Sequence, residues 1–325
     1  MKKMLIFVLG LILIPGFFNG VPAAEKVNFY ANITAIEPIM DDFNASHPIE
    51  GIYTRISTSK YLATVLTEHS VGKLQADVLQ GPLPILQMLK EKGVLTPYKS
   101  PSAKGYPEWA QKDDTIVQFG IEYVAPIYNK ELVKPEDVPT RYEDLTDPKW
   151  YNKLVMPDPA SHATTISWLV GLKEANIFGS DENWMKFIKG LAANKPMFVK
   201  SFGPSPAPIE SGEKLIGISM PKYIITKAPA PLDWARVDTL LGTTRGIAIA
   251  AKAPNPEAAK VFVDYWLSRH AMQLLADKVG EYVLAPGVYP PIEGIDKVKV
   301  LPIRELSDDE IRNWGKEFQK IFYAQ

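Results

Sequence analysis

The chain has 325 residues, of which 36 are basic and 37 acidic, and its formal net charge is -1. Charges of both signs are spread along the sequence, and no block of like charge indicates a nucleic-acid-binding tail or a polybasic membrane patch. The chain contains no cysteine, which excludes disulfides, thiolate sites and a lipid attached to an N-terminal cysteine.

The N-terminus has the three parts of a secretory signal. Residues 2–3 are lysines, and the apolar run at 4–14 that follows is shorter than the roughly 20 residues of a membrane span. Small residues come next, at 21–23. We predict a signal peptide at 1–23, with cleavage after Ala24 as the second choice, and a protein that is soluble in a Gram-negative periplasm.

Strands alternate with helices in the first part of the predicted mature chain. The predicted order is a strand at 27–30, a helix through Ile36, Ile39, Met40 and Phe43, a strand at 52–56, a helix through Leu62, Val65 and Leu66, a strand at 77–79 and a helix at 84–92. Thr34 is a possible N-cap of the first helix. This order predicts a mainly parallel sheet with helices on its faces.

The remaining chain continues the same alternation. We predict strands at 124–128, 154–156, 215–219 and 246–251, and helices after Ser161, after Asn255-Pro256 and over 305–322. Asparagine followed by proline is typical of an N-cap and a first helical position. The apolar stripe of Ala258, Phe262, Tyr265 and Trp266 is interpreted as core.

Five short stretches carry a resemblance to a known family. They are KLQADV at 73–78, IYNKELV at 127–133, YEDLTDPKW at 142–150, MPDP at 156–159 and APNPEAAK at 253–260. In this order and spacing they resemble the extracellular solute-binding proteins of ABC importers, which include ferric-ion, thiamine, polyamine and phosphonate or sugar-phosphate binders. The similarity extends over nearly the whole predicted mature chain.

The resemblance implies an α/β, two-lobed periplasmic-binding-protein fold of type II-like organisation, with a ligand cleft between lobes joined by two crossing strands. We expect the crossings near 122–126 and 242–246. Lobe one would hold 24–122 and 246–285, lobe two 123–245, and the C-terminal segment at 286–325 would pack on lobe two. The expected partner is an ABC permease in the inner membrane, which can recognise a closed, liganded form. A monomer without a cofactor or nucleic acid is expected.

Three loops that follow strands are candidate ligand-binding positions, because ligands of open α/β sheets lie at the carboxyl ends of strands. Hydroxyl groups and backbone N–H groups at helix N-termini favour an anion, although the same hydroxyls can serve only as helix caps. The candidate residues are Asn32 and Thr34 in the first loop, Ser57, Thr58, Ser59 and Lys60 in the second, and Ser161, His162, Thr164 and Thr165 in the third.

Three further residues complete the predicted site. Ser205 lies in a loop that turn chemistry explains nearly as well. Tyr223 lies where the resemblance implies a cleft tyrosine. Arg245, at the second crossing, could contact a carboxylate or phosphate with two parallel hydrogen bonds, whereas a solvated surface charge is the other interpretation of Arg245 and Lys60. We predict a small organic anion of carboxylate or phosphate/phosphonate type as ligand, with no metal and no catalytic residue.

Other ligands remain open. Ferric binders of this family use adjacent tyrosines with a carboxylate and a histidine, whereas Tyr223 is single here and the four histidines are isolated. A polyamine or thiamine ligand requires acidic and aromatic side chains. Residues that keep this alternative open are Glu122, Tyr123, Glu281 and Tyr282.

A secreted serine hydrolase is the least favoured hypothesis. Residues 217–221 (GISMP) resemble a nucleophile elbow around Ser219, but proline replaces the last glycine. Asp233, Asp238 or Asp264 followed by His270 would give a triad order that arises often by chance. We therefore expect a binding protein and not an enzyme.

Overall fold

A computed structural model describes residues 25–304 and 306–323, with the side chain of Ser59 excepted. The predicted signal peptide at 1–23 and its cleavage site lie outside these residues. In the described part of the chain, no helix is long and apolar enough to cross a membrane.

The structure alternates strands and helices through most of its length, and the predicted α/β class is confirmed. The strands are β1 (Glu25–Ala31), β2 (Ile49–Arg55), β3 (Val78–Pro82), β4 (Leu95–Thr96), β5 (Val117–Asn129), β6 (Leu154–Pro157), β7 (Met197–Val199), β8 (Ile216–Ser219), β9 (Leu232–Trp234), β10 (Thr239–Ala250), β11 (Tyr282–Val283) and β12 (Lys299–Pro302). The helices are α1 (Glu37–Ser46), α2 (Thr58–Ser70), α3 (Leu83–Glu91), α4 (Ala163–Glu174), α5 (Asp181–Ala193), α6 (Pro206–Glu210), α7 (Lys222–Thr226), α8 (Pro256–Trp266), α9 (Arg269–Leu274) and α10 (Asp308–Tyr323). Short 3₁₀ turns lie between β4 and β6, and a π-helical turn spans Leu275–Val279.

The sheet runs in the order β2-β1-β3-β10-β5-β8-β6-β7. Strands β2, β1 and β3 are parallel at one end, and β8, β6 and β7 are parallel at the other. The two long strands in the middle, β10 and β5, are antiparallel to each other and to their outer neighbours. The sheet is therefore mixed, with parallel ends joined by an antiparallel centre.

Strands β5 and β10 belong to both halves of the structure. Along β5, residues 120–121 pair with β11 and residues 125–128 pair with β8. Along β10, residues 245–249 pair with β3 and residues 239–242 pair with β12. These two strands are the predicted crossings, and the residue boundaries of the lobes stay predictions.

The apolar stripe of α8 packs on the first strand, as predicted. Phe262 and Trp266 are fully buried, and their rings lie 4.8 and 4.9 Å from the ring of Phe29 on β1. Aromatic pairs at such distances add to the stability that burial of their surface provides. The predicted core role of this stripe is confirmed.

Of the N-caps predicted for α1 and α8, the first is wrong and the second is confirmed. Helix α1 begins at Glu37 with Ile36 at the N-cap, so the prediction of Thr34 as N-cap is wrong. Pro38 in the first turn suits a start at this position, because the backbone N–H that proline lacks would be unpaired there. Asn255 occupies the N-cap of α8, but its side-chain amide donates to Asp77 Oδ2 at 3.1 Å.

Helix α10 packs against α4 and α5. Its start at Asp308, later than the predicted 305, follows from a capping box: Ser307 Oγ accepts a hydrogen bond from Glu310 N, and Glu310 Oε2 accepts one from Ser307 N. Trp314 meets Trp184 of α5 edge to face at 5.4 Å between ring centroids. These contacts join α10 to α4 and α5, and the assignment of the whole segment 286–325 to lobe two stays a prediction.

Gly315 allows α10 to approach the loop before α4. A Cβ atom at Gly315 would lie 2.7 Å from the backbone oxygen of Ala160. We expect Gly315→Ala to lower the free energy of unfolding by about 1–3 kcal/mol, the usual cost of overpacking. Urea unfolding followed by tryptophan fluorescence measures this change. Gly203→Ala, whose Cβ would have no atom closer than 3.8 Å, is the control; equal stability of both variants would contradict the prediction.

Candidate ligand-binding site

Four charged side chains meet where the crossing strands pass between the two halves. Arg245 Nη2 donates to Glu122 Oε1, and Arg245 Nε lies 3.4 Å from Glu281 Oε2. Lys222 Nζ lies 3.3 Å from Glu122 Oε1 and 3.5 Å from Glu281 Oε1. We call Glu122, Lys222, Arg245 and Glu281 the charge cluster; its two cations and two carboxylates balance.

The charge cluster is largely shielded from water. The side chains of Arg245 and Glu281 are 4% and 1% exposed, and those of Lys222 and Glu122 are 12% and 21% exposed. A charge in such a place is stable only when it is paired. The cluster is therefore a mutually dependent set, and the removal of one member leaves an uncompensated charge.

The charge cluster shifts the pKa values of Glu122 and Lys222 toward their ionised forms. Burial alone would raise the pKa of Glu122, but Arg245 and Lys222 outweigh burial and lower it to about 2. Burial alone would lower the pKa of Lys222, but Glu281 and Glu122 outweigh burial and raise it. In both residues the neighbouring opposite charges outweigh burial, so Glu122 and Lys222 are charged at neutral pH.

On one side, the charge cluster connects to two of the predicted ligand loops. Arg245 Nη1 donates to Asn32 Oδ1 at 3.1 Å, and Asn32 Nδ2 donates to Thr58 Oγ1 at 2.9 Å. Asn32 follows β1, and Thr58 opens α2. The carboxyl ends of two neighbouring parallel strands thus deliver predicted site residues to Arg245, as the sheet order requires.

On the other side, the charge cluster reaches Tyr223 and the loop before α6. The Nζ of Lys222 lies 5.9 Å from the centroid of the Tyr223 ring. The Tyr223 hydroxyl would be 3.8 Å from a Cβ at Gly203. Burial raises the pKa of Tyr223, and Lys222 opposes this only in part. The phenol therefore keeps its proton and can donate a hydrogen bond.

His162 opens α4 next to the same loop. Its Nδ1 lies 2.8 Å from Thr165 Oγ1 and accepts a hydrogen bond from Thr165 N at 3.3 Å, so the proton of the neutral ring is assigned to Nε2. Its ring meets Phe202 edge to face at 5.2 Å. Burial lowers the pKa of His162, more than the charges of Glu122 and Asp158 raise it. A neutral imidazole at this position caps the helix.

Six of the predicted residues lie around the charge cluster. Hydrogen bonds join Thr58, Asn32 and Arg245 on one side, whereas Tyr223 lies beside Lys222, and His162 and Thr165 lie next to the Phe202-Gly203 loop on the other side. We call these six residues, with the charge cluster, the polar band; its members are up to 213 residues apart in sequence.

The other predicted residues lie outside these contacts. Ser161 Oγ donates to Asp158 Oδ2 at 2.7 Å, within its own loop, and Ser205 Oγ is buried and donates to the backbone oxygen of Ile218 at 2.9 Å. Thr34 and Lys60 are exposed, and Thr164 and Ser57 are half-buried. The side chain of Ser59 lies outside the described part.

The residues of the serine-hydrolase hypothesis and of the metal hypothesis lie in other surroundings. Ser219 is fully buried and its hydroxyl donates to the backbone oxygen of Phe202 at 3.4 Å, whereas His270 is paired with Asp42 at 2.9 Å. In residues 25–304 and 306–323, no group of three or more His, Cys, Asp or Glu side chains is placed to hold a metal ion.

Of the charge cluster, Arg245 was predicted as a site residue, Glu122 and Glu281 were named only for the polyamine or thiamine alternative, and Lys222 was missed. Glu122 is a single carboxylate within an apolar strand, GIEYVAP, and Glu281 follows a glycine between apolar segments. A lone charge in such a run indicates a buried partner. Lys222 has no comparable signal, because it stands beside Tyr223 at the start of a short helix.

Comparison with known proteins decides the family. Residues 83–308 match the profile of the family described as bacterial extracellular solute-binding protein. The chain belongs to this family. Among curated relatives of this solute-binding protein, Iron uptake protein A1 of Synechocystis sp. is 29% identical over 219 residues. The match covers 61% of this chain and 59% of that protein, so the chain matches less than two thirds of the relative's length.

Solved structures of other binding proteins share the fold. The substrate binding protein of the ABC transporter from Agrobacterium tumefaciens superposes with a TM-score of 0.75 at 15% identity, over 93% of this chain and 96% of that one. The periplasmic binding protein AfuA from Actinobacillus pleuropneumoniae, with fructose-6-phosphate bound, gives a TM-score of 0.66 at 20% identity, over 93% and 98%. At these identities the likeness establishes the two-lobed fold alone.

Proposed function

We propose that this solute-binding protein captures a small organic anion in the periplasm by hinge closure and delivers it to an ABC importer. The observation that carries the proposal is the polar band, because both halves of the structure contribute side chains to it at the crossing strands. A ligand held in such a place contacts both lobes at once, and closure then gives the permease a shape to recognise.

The electrostatics of the polar band favour an anion over a cation. Each carboxylate of the charge cluster already faces Arg245 and Lys222, so neither offers an uncompensated negative charge to Fe(III), a polyamine or thiamine. The protonated phenol of Tyr223 can donate to a ligand oxygen. Lys60, exposed beside Thr58 at the start of α2, adds a cation that needs no buried partner.

Arg245 was first predicted to contact the ligand directly, and this proposal gives it a different role. Its guanidinium already meets Glu122, Glu281 and Asn32, and it is 4% exposed. We assign Arg245 to the support of the site and propose Lys60, Tyr223 and the hydroxyls of Thr58 and Thr164 as the ligand-facing groups.

Ferric iron is the second candidate, because the relative matched at 29% identity is named an iron uptake protein. Fe(III) requires several anionic oxygens around one cation. The ammonium group of Lys222 near the Tyr223 ring opposes that arrangement. The organic anion therefore remains the first choice.

Calorimetry on refolded, ligand-free protein distinguishes the candidates. We would titrate organic acids, phosphonates, sugar phosphates and ferric citrate. For the best organic anion, we expect Tyr223→Phe to weaken binding about tenfold and Lys60→Ala about tenfold to a hundredfold, from the usual strength of neutral and charge-assisted hydrogen bonds.

Tyr151→Phe, an exposed tyrosine outside the polar band, is the matched control and should bind like the unmodified protein. Tight Fe(III) binding with a phenolate charge-transfer band that Tyr223→Phe abolishes would refute the organic anion. Unchanged affinity in both Tyr223→Phe and Lys60→Ala would refute the site.

A further inference from the structure

Lys222 and Glu281 both lie near Glu122 of the crossing strand β5, but they belong to segments from different halves of the structure. Glu281 immediately precedes β11, which pairs with residues 120–121 of β5. Lys222 opens α7, which follows β8, the strand that pairs with residues 125–128 of β5. Glu122 lies between these two pairings. The ion pair between Lys222 and Glu281 therefore joins the two halves through side chains, in addition to the crossing strands.

The backbone is also in close contact at this point. Gly280 has a φ of 74°, and a Cβ atom there would lie 2.8 Å from the Cα of Lys222. The segment that carries Glu281 thus packs directly on the first turn of α7. A rotation of one half relative to the other would change this contact.

The other ion pair of the charge cluster responds differently to such a rotation. Arg245 and Glu122 lie on β10 and β5, which pair with each other from Leu241 to Ile247. Neighbouring strands of one ladder move together, so this pair persists in any arrangement of the lobes. Within the charge cluster, the ion pair of Lys222 with Glu281 is therefore the one that depends on the lobe angle.

We propose that Lys222 is a latch that holds the two lobes at the angle seen here through its contact with Glu281, while Arg245 and Glu122 form the fixed side of the hinge. The proposal rests on the proposed hinge function. In the ligand-free protein the latch favours this lobe angle over wider ones, so the ligand meets lobes whose arrangement is already restricted.

Small-angle X-ray scattering of the ligand-free exported protein tests the latch. We expect Lys222→Met to increase the radius of gyration, because the lobes lose the contact that holds them. Lys227→Met is the matched control: Lys227 follows the same helix, and its ion pair with Glu210, at 2.9 Å, lies within one half. Glu281→Gln should give an increase in the same direction as Lys222→Met, and the double variant should open no further than either single one.

A second readout covers the case in which a variant unfolds. Spin labels at two exposed positions, Val71 in the turn after α2 and Tyr151 before β6, report the distance between the halves, and unfolded molecules are recognised by their broad spread of distances. An unchanged radius and label distance in both Lys222→Met and Glu281→Gln would overturn the latch. These measurements need no ligand, so that result would leave the proposed function standing, whereas a protein that binds no organic anion would leave the latch standing.

Discussion

Replacement of Arg245 by methionine should lower the free energy of unfolding by about 3–5 kcal/mol at neutral pH, the usual effect of removing one partner from a buried ion pair. The guanidinium is 4% exposed, and it faces both Glu122 and Glu281. Methionine fills a similar volume but leaves two carboxylates with Lys222 as their shared cation. Unfolding in urea at pH 7 measures the loss.

The loss should depend on pH with a defined sign. In the native protein the pKa of Glu122 is lowered to about 2 from an ordinary value of 4.5. A lowered folded-state pKa contributes stability that is complete above the ordinary value and disappears as the pH falls toward 2. Without Arg245 that pKa rises, so the deficit of the variant should be largest above about pH 4.5 and smaller below it.

Two further variants make the interpretation specific. Arg245→Met combined with Glu122→Gln should recover part of the lost stability, because the uncompensated charge is gone. Arg312→Met, which breaks an exposed pair with Asp309, should cost no more than about 1 kcal/mol. If Arg245→Met were as stable as Arg312→Met and differed from the native chain only in ligand affinity, Arg245 would be a ligand contact after all.

Gly242→Ala should be the second most damaging change, and its effect is steric. A Cβ atom at Gly242 would lie 2.3 Å from the backbone oxygen of Glu122 and 2.5 Å from the Cα of Tyr123. Both atoms belong to the opposite crossing strand, which ladder hydrogen bonds hold in place, so no flexible side chain can yield. We expect a loss of about 3 kcal/mol, at the upper end of overpacking effects.

The measurement is urea unfolding, with scattering on the folded variant. Because the added methyl group separates β5 from β10, the variant should also close less fully on the best ligand. For stability alone, Gly203→Ala again serves as control, since the nearest atoms to its Cβ are side-chain oxygens at 3.8 and 3.9 Å. A Gly242→Ala protein as stable as this control would mean that the crossing strands separate easily.

The sequence predicted the regular elements best where local chemistry decides them. The strand predicted at 154–156 is Leu154–Pro157, and the helix predicted at 84–92 is Leu83–Glu91. The crossing strands were placed but predicted too short, at 124–128 and 246–251 against Val117–Asn129 and Thr239–Ala250. Their missing halves contain Glu122 and Arg245, and an ionised residue argues against a strand unless its partner is known.

The candidate site, too, was predicted only where local chemistry decides the position of a residue. Asn32, Thr58 and His162 were predicted from their places after strands and at helix starts; a hydrogen bond joins Asn32 to Thr58, and His162 is hydrogen-bonded to Thr165. The charge cluster was not predicted as a unit, because Glu122 and Lys222 are 100 residues apart and Arg245 is 123 residues from Glu122. Only the sheet order brings such residues together, and one sequence contains no local signal for it.

The strand order has a kinetic consequence for the newly made chain. Strand β3, at residues 78–82, finds one of its sheet neighbours only at residues 245–249 of β10. Contacts between residues so distant in sequence make folding slow, because a long loop must close before the contact stabilises it. The first half of the sheet cannot be completed until β10 has been synthesised. A chain of this topology stays without its complete sheet for longer, which fits the periplasmic location proposed for it.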